Sequence, residues 1–141
     1  MSERKSYKDL EMVVFDMAGT TLQIGGLIPV ALKEGFLGEG IELTDEEIRS
    51  IRGLSKIEAI RNLLEKHLGK PTEDLIHKIH QVFLQKLEIM FDREEVRLIP
   101  GAQETLSWLK AKNLLIALNT GFERKYALMI LERVGWSDIS N

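Results

Sequence analysis

The sequence has no cysteine, no apolar segment in its first ten residues and no long run of apolar residues. Without cysteine the chain can have neither disulfides nor thiolate chemistry, which is compatible with a reducing compartment. The first ten residues, MSERKSYKDL, lack the apolar segment of a signal peptide, and no later stretch approaches the length of a membrane span. These absences predict a cytoplasmic protein without a membrane partner.

An excess of basic charge is also missing. The formal net charge is -3, the pI is near 5.7, and Lys and Arg alternate with Asp and Glu along the whole chain. Nucleic-acid-binding domains carry a basic patch or stripe, so no nucleic-acid partner is expected. With 141 residues, 44% of them hydrophobic, the chain can form one core with a small appended lobe but not two full domains.

Two short apolar segments have the pattern of buried strands that end in polar residues. The first, Met12–Asp16, ends on a carboxylate and runs into a glycine-containing loop over 17–26. The second, LLIALNT, ends at Asn119 and Thr120. Parallel α/β sheets bind their ligands at the carboxyl ends of the strands. If the two strands are parallel neighbours, Asp16 and Thr120 meet at this edge.

The segment between the two strands is predicted to be helical over about seventy residues. TDEE and SKIE are capping boxes, which place helix N-caps at Thr44 and Ser55. A third helix is expected from near Thr72, because the apolar residues that follow recur every three or four positions. Two shorter helices are predicted on either side of the second strand, one ending near 112 and one over about 123–134. The long helical insertion would lie above the strand ends as a lid that excludes water.

The segments VVFDMAGTT and LLIALNTG, in this order around a helical insertion, resemble the first two motifs of the haloacid dehalogenase superfamily. The resemblance covers nearly the whole chain from about residue 11. It implies an α/β fold, with a Rossmann-like core and an inserted helical cap domain over 25–97. The core, with its parallel sheet incomplete in this chain, would comprise 1–24 and 98–141. The Asp-x-Ala-Gly-Thr-Thr form is similar to phosphonatase, the phosphonoacetaldehyde hydrolases, and to phosphonatase-like hydrolases.

The resemblance implies a hydrolase of the phosphatase or phosphonatase type that acts on a small phosphorylated or phosphonate metabolite. Asp16 would attack phosphorus to give an aspartyl-phosphate, which divides a slow displacement into two faster steps. Mg²⁺ would be bound by the side chain of Asp16 and the backbone carbonyl of Ala18. From the residues alone, Asp16 has a second interpretation as a strand-end cap of the following turn.

Four residues are implied to hold the phosphoryl group: Gly19, Thr20, Thr120 and Gly121. Thr120 and the backbone N–H groups near the two glycines would donate hydrogen bonds to phosphoryl oxygens. The structural alternatives are that Gly19 and Thr20 form an ordinary turn and that Thr120 caps the following helix. The motif spacing favours the phosphate roles over these alternatives.

Lys56 is the candidate catalytic residue in the helical cap domain. Most phosphatases of the superfamily have a second Asp where this chain has Ala18, and Ala18 cannot protonate a leaving group. The segment RGLSKIEAIRNLL resembles the phosphonatase segment whose lysine forms a Schiff base with the substrate aldehyde, and Lys56 is at the matching position. The first turn of a helix also disfavours an ammonium group. Attraction of phosphate by a charged Lys56, or a simply solvated side chain, are the alternatives.

The three histidines, His67, His77 and His80, are expected at the surface or the edge of the core, because their spacing does not resemble a metal site. A homodimer formed through the cap is one arrangement that the resemblance to phosphonatase allows. The third and fourth motifs of the superfamily do not follow the second motif within this sequence. We therefore expect these residues to be the N-terminal part of a longer protein and to be inactive alone; the alternative is a catalytically incomplete or non-catalytic relative.

Overall fold

The computed structural model describes residues 9–24, 26–93 and 96–139, which form two parallel strands, a long helical insertion and two flanking helices. Strand β1 (Met12–Asp16) pairs with strand β4 (Leu115–Asn119), and the register places Asp16 opposite Asn119. The parallel pairing predicted from the sequence is therefore confirmed, and both strands end at the same edge.

The two faces of this sheet are covered to different extents. Helix α5 (Ala102–Ala111) and the segment around Trp136 form a small apolar cluster against Phe15 and Ile116. On the other face Met12, Val14 and Leu115 are 46%, 58% and 59% exposed. The expectation that β1 and β4 are buried strands is thus wrong for one face of the sheet. Among the described residues, helices pack only against the face that carries Phe15 and Ile116.

A second, antiparallel ribbon stands where the chain enters and leaves the helical insertion. It consists of β2 (Leu22–Gln23) and β3 (Arg97–Leu98), and Leu22 pairs with Leu98. Two residues per strand are too few to produce a periodic sequence signal, so this ribbon was not predicted. The predicted domain boundaries near residues 24 and 98 lie beside this ribbon, and the division into domains stays a prediction. Residues 1–8 of the predicted core and residue 25, where the predicted cap begins, lie outside the described residues.

The insertion contains four helices, which pack mainly through the contacts of the first and third with the fourth. Large apolar side chains are buried between them, Phe36, Ile60, Leu64 and Phe83 among others. The helices are α1 (Leu27–Leu37), α2 (Asp45–Ser50), α3 (Lys56–Leu68) and α4 (Glu73–Arg93). Helix α6 (Arg124–Arg133) follows β4. Among the described residues, no helix combines the length and apolarity needed to cross a bilayer.

Both predicted N-caps are present. Thr44 caps α2 with a complete capping box: its hydroxyl accepts from the Glu47 N–H, and the Glu47 carboxylate accepts from the Thr44 N–H at 2.9 Å. Ser55 accepts from the Glu58 N–H at 3.3 Å, which is half of the predicted box. The α3 start is thereby fixed at Lys56, so the first turn of this helix carries the lysine.

The capping carboxylate of Glu47 predicts acid sensitivity of the helical insertion. Glu47 is 4% exposed, and Lys66 and His67 lie within 3.0 and 2.9 Å of its Oε1. The hydrogen bond from the Thr44 N–H, followed by that from Lys66, lowers the pKa of Glu47 from 4.5 to about 2. Because the folded pKa is depressed, its contribution to stability is present above pH 4.5 and is lost as the pH falls towards 2.

We therefore expect the Glu47→Gln protein to have a lower melting temperature than the wild type at neutral pH. Its melting temperature should also fall less steeply between about pH 5 and about pH 3, the range in which the lowered pKa of Glu47 makes the wild type lose stability. Circular dichroism melts at several pH values measure this difference. Glu46→Gln, an exposed neighbour on the same helix, is the matched control. Parallel curves for wild type and Glu47→Gln would contradict the assignment.

Candidate active site

Asp16 ends β1 with its side chain exposed, and the residues that follow form a tight turn. Gly19 has a φ of +83°, a conformation that glycine adopts without strain. Its amide N–H donates to the Leu22 carbonyl at 2.8 Å, so this particular amide is already engaged within the turn. The expected role of the backbone N–H groups near Gly19 in phosphate binding stays a prediction.

The two consecutive threonines have different positions. Thr20 is exposed, and its hydroxyl donates to Oδ2 of Asp16 at 3.3 Å. Thr21 is buried, and its hydroxyl donates to the backbone carbonyl of Asp16 at 3.0 Å and to that of Met17 at 3.3 Å. Thr20 therefore orients the carboxylate, whereas Thr21 holds the turn below it.

The end of β4 supplies the second wall of the site. The Thr120 hydroxyl accepts a hydrogen bond from the Phe122 N–H at 3.2 Å, which keeps its own proton available for donation. Helix α6 has Glu123, not Thr120, at its N-cap position. Among the described residues the Gly121 N–H has no acceptor. Both Thr120 and Gly121 are thus available as hydrogen-bond donors for an anion.

Lys56 reaches the site from the insertion. The side chain is half-buried, and its Nζ lies 5.3 Å from the centroid of the Phe122 ring, a cation–π distance. Burial lowers the pKa of the Lys56 ammonium, and the negative charge of Asp16 opposes this effect in part. The environment therefore shifts Lys56 towards the neutral amine, the form that acts as a nucleophile.

All the predicted site residues line one cavity of about 690 Å³ between the strand ends and the insertion. They come from three distant segments of the chain and comprise Asp16, Ala18, Gly19, Thr20, Lys56, Thr120 and Gly121. Other residues that line the cavity were not predicted as site residues, among them Arg52, Asn119 and Phe122. Asn119 had a sequence signal, since it ends the strand β4, whereas Arg52 lies in the turn before α3 and had none. Phe122 gave no such signal.

The donor set at the strand edge fits a hard divalent cation. Asp16 contributes an exposed carboxylate, and the Ala18 carbonyl accepts no hydrogen bond from the described residues. Mg²⁺ takes oxygen ligands and is commonly held by one or two protein groups together with water and substrate phosphate. The described part of the chain has no group of three or more His, Asp or Glu side chains that could hold a metal.

The histidines lie away from this cavity. His67 is beside Glu47, as described above, and His77 is exposed on α4. His80 is 5% exposed, stacks on Phe83 and has its Nε2 3.6 Å from Oε1 of Glu123. Burial lowers the pKa of His80. The expectation of a surface or core-edge position therefore needs correction for His80, which is buried because its ring packs on that of Phe83.

The insertion comes close to the end of β4 at Gly121. A Cβ atom at this position would lie 2.7 Å from the Leu54 carbonyl oxygen and 3.4 Å from Nζ of Lys56. The first distance is too short for a side-chain carbon, and a backbone oxygen cannot rotate away as a flexible side chain can. Glycine at 121 therefore lets the turn before α3 rest on the end of β4.

We expect Gly121→Ala to separate this turn from the strand and to expose Lys56, with acetylation of Lys56 by acetic anhydride accelerated about threefold or more as the amine loses its cover. Peptide mass spectrometry after timed labelling measures this rate. Gly26→Ala is the matched control, because a Cβ there meets no heavy atom within 4 Å. An unchanged rate at Lys56 in the Gly121→Ala protein would contradict the inferred contact.

The fold and the two strand-end motifs define a class of protein, and comparison with known proteins agrees with it. The chain belongs to the haloacid dehalogenase-like hydrolase family, whose model matches residues 13–141. Hydrolases of this family generally use a divalent metal ion. The resemblance inferred from the sequence and the α/β fold are therefore confirmed.

Within this family the chain is similar to phosphonoacetaldehyde hydrolases. It is 33% identical to that of Hahella chejuensis over 126 residues, which cover 82% of this chain and 42% of the relative. It is 36% identical to that of Bacillus mycoides over 127 residues, which cover 82% of this chain and 48% of the relative. The crystal structure of a phosphonoacetaldehyde hydrolase-like protein from Oleispira antarctica matches with a TM-score of 0.73 at 30% identity, covering 87% of this chain and 48% of that one.

The chain spans about half the length of the curated relatives it matches. The geometry described above is therefore that of the part of the site formed by the first two motifs and the helical insertion.

Proposed function

We propose that this chain carries the nucleophile and the cap lysine of a Mg²⁺-dependent hydrolase that acts on a small phosphorylated or phosphonate metabolite. The observation that carries the proposal is the convergence of Asp16, Thr120 and Lys56 on one cavity from distant segments of the chain. A cavity of about 690 Å³ is of the size that accommodates a small molecule.

In the first step, a carboxylate oxygen of Asp16 attacks phosphorus, and the bond from phosphorus to the leaving group breaks. The electron pair of that bond goes to the leaving group, and the phosphoryl group stays on Asp16 as an acyl phosphate. Thr20 donates to Oδ2, which leaves Oδ1 without a hydrogen bond from the described residues and available for attack. Water then hydrolyses the acyl phosphate and regenerates the carboxylate.

Attack of a carboxylate on a phosphoryl dianion brings like charges together, so the site must supply positive charge and hydrogen-bond donors. The Thr120 hydroxyl and the Gly121 N–H are the donors at the end of β4. Asp16 and the Ala18 carbonyl would hold Mg²⁺, and its charge when bound offsets the repulsion. These residues also fix the phosphoryl group next to the attacking oxygen.

For a phosphonate with a carbonyl group beside the phosphorus-bearing carbon, Lys56 has a covalent role. The neutral amine adds to the carbonyl carbon, and loss of water gives an imine. The imine takes up a proton from solvent to become an iminium ion, and when the phosphorus–carbon bond breaks, its electron pair moves into this iminium ion to give a neutral enamine. No proton is then needed from the position of Ala18. The burial that lowers the pKa of Lys56 supports this role over that of a simple phosphate-attracting cation.

Beryllium trifluoride tests the proposed nucleophile without a known substrate, because it forms a tetrahedral adduct on a carboxylate that resembles a phosphoryl group. We expect the full-length protein to form this adduct on Asp16 in the presence of Mg²⁺, detected by ¹⁹F NMR and by a raised melting temperature. The Asp16→Asn protein should give neither signal. Absence of the adduct in the wild type, together with no phosphate release from any phosphate ester or phosphonate, would favour the non-catalytic alternative.

A further inference from the structure

Arg52 lies in the turn between α2 and α3 and lines the same cavity as Asp16 and Lys56. The turn is held from below by Ile51, which is 7% exposed, and it reverses at Gly53, whose φ is +83°. The turn is therefore anchored in the insertion, and it brings Arg52 to the cavity just before α3 begins at Lys56.

The charged lining of the cavity is unbalanced. Of the described residues that line it, Asp16 is the only acidic one, whereas Arg52 and Lys56 are both basic. Arg52 forms no ion pair or side-chain hydrogen bond with any of the described residues. Five other basic residues of the insertion do have carboxylate partners, namely Lys33, Arg61, Lys66, Lys78 and Lys86.

The two cavity-lining basic residues differ in chemistry. A guanidinium group stays protonated at any physiological pH and presents several N–H donors that match the oxygens of a carboxylate or a phosphate. Lys56 is half-buried over an aromatic ring, in surroundings that favour the uncharged amine. Arg52 is exposed and has no carboxylate partner among the described residues, so its guanidinium N–H groups are free to bind an anion that enters the cavity.

We propose that Arg52 determines substrate specificity by binding a second anionic group, a carboxylate or a phosphate, on a part of the substrate other than the phosphoryl group attacked by Asp16. This inference rests on the proposed function, since it takes the phosphoryl group to lie at the strand ends. The preferred substrates are then phosphate esters or phosphonates whose leaving portion is itself negatively charged.

Three phosphonates of similar size that have no carbonyl group test this specificity without turnover. Propylphosphonate has no second anion, 2-carboxyethylphosphonate has a carboxylate, and ethylene-1,2-diphosphonate has a second phosphonate. Isothermal titration calorimetry with the full-length protein and Mg²⁺ gives each dissociation constant. We expect at least one of the two doubly anionic compounds to bind about tenfold or more tightly than propylphosphonate, since hydrogen bonds between charged groups are the stronger ones. The tighter of the two identifies the preferred anion.

In the Arg52→Met protein this preference should fall to within about twofold, with the affinity for propylphosphonate unchanged. Arg49→Met is the matched control, because Arg49 is an exposed arginine on α2 that does not line the cavity. This substitution removes the same charge as Arg52→Met. It should leave all three dissociation constants within about twofold of the wild type. Arg52→Lys should retain part of the preference, because it keeps the charge but not the paired donors.

Equal binding of the three compounds by the wild type would overturn the inference, as would a preference that survives in Arg52→Met or disappears equally in Arg49→Met. These results leave the proposed function standing, because propylphosphonate still binds at the strand ends and the beryllium fluoride adduct still forms. Failure of the adduct and of all three phosphonates to bind would instead overturn both the proposed function and the inference that rests on it.

Discussion

Replacement of Asp16 by Asn is expected to lower kcat/KM for phosphate release by at least about a thousandfold, or about 4 kcal/mol in the barrier. The amide has nearly the shape of the carboxylate but is a poor nucleophile, and it cannot form the acyl phosphate. Asp16 is exposed at the end of β1, so the substitution should leave the fold intact. Phosphate release from the full-length protein, measured beside a circular dichroism melt, tests both statements.

Asp74→Asn provides the control, since Asp74 is an exposed carboxylate in the first turn of α4 and does not line the cavity. It should retain wild-type activity. An Asp16→Asn protein that keeps more than about a tenth of the activity, a barrier change of less than about 1.4 kcal/mol, would rule out Asp16 as the nucleophile.

Borohydride reduction in the presence of phosphonoacetaldehyde is expected to inactivate the full-length protein and to add the mass of the reduced adduct to Lys56. The imine formed between the amine and the aldehyde is reduced to a stable secondary amine, and this requires the neutral amine that the surroundings of Lys56 favour. Peptide mass spectrometry locates the modification. Lys56→Arg should lower the turnover of phosphonoacetaldehyde by about a thousandfold or more, because a guanidinium cannot form the imine.

Lys125 is an internal control in the same experiment. It lies 5.1 Å from the Tyr126 ring, is largely exposed and is within 3.4 Å of the Glu88 carboxylate, so it shares the aromatic contact but not the cavity. It should remain unlabelled. If saturating aldehyde with borohydride leaves Lys56 unmodified while phosphate is released, Lys56 serves phosphate binding and the protein is an ordinary phosphatase.

The elements that carry the chemistry were predicted from local sequence. The bounds of β1 agree with the structure, since an apolar run that stops on Asp16 and a glycine turn identifies the end of a strand without reference to the rest of the chain. Thr44 and Ser55 marked the starts of α2 and α3 for a similar reason: capping hydrogen bonds join residues three positions apart. The order of the two strand-end motifs also placed Asp16 and Thr120 at one edge.

Features made by contacts between distant segments were not predicted. The ribbon of β2 and β3 is one, because two residues per strand carry no period and the pairing joins positions 22 and 98. The inclusion of Arg52 in the cavity is another, since an arginine in a turn has the same local sequence whether it faces solvent or a site.

By itself the sequence determined β1 and β4, the starts of α2 and α3, the family and the candidate nucleophile, because each depends on residues that are close together in the chain. Only the tertiary structure decided which face of the parallel sheet its described helices cover and how near the insertion comes to the end of β4. The carbonyl of Leu54 rests where a side chain at 121 would stand, and Lys56 lies over the Phe122 ring. These contacts join segments more than sixty residues apart, and their geometry follows from how the helices pack around the buried apolar side chains of the insertion rather than from any local pattern.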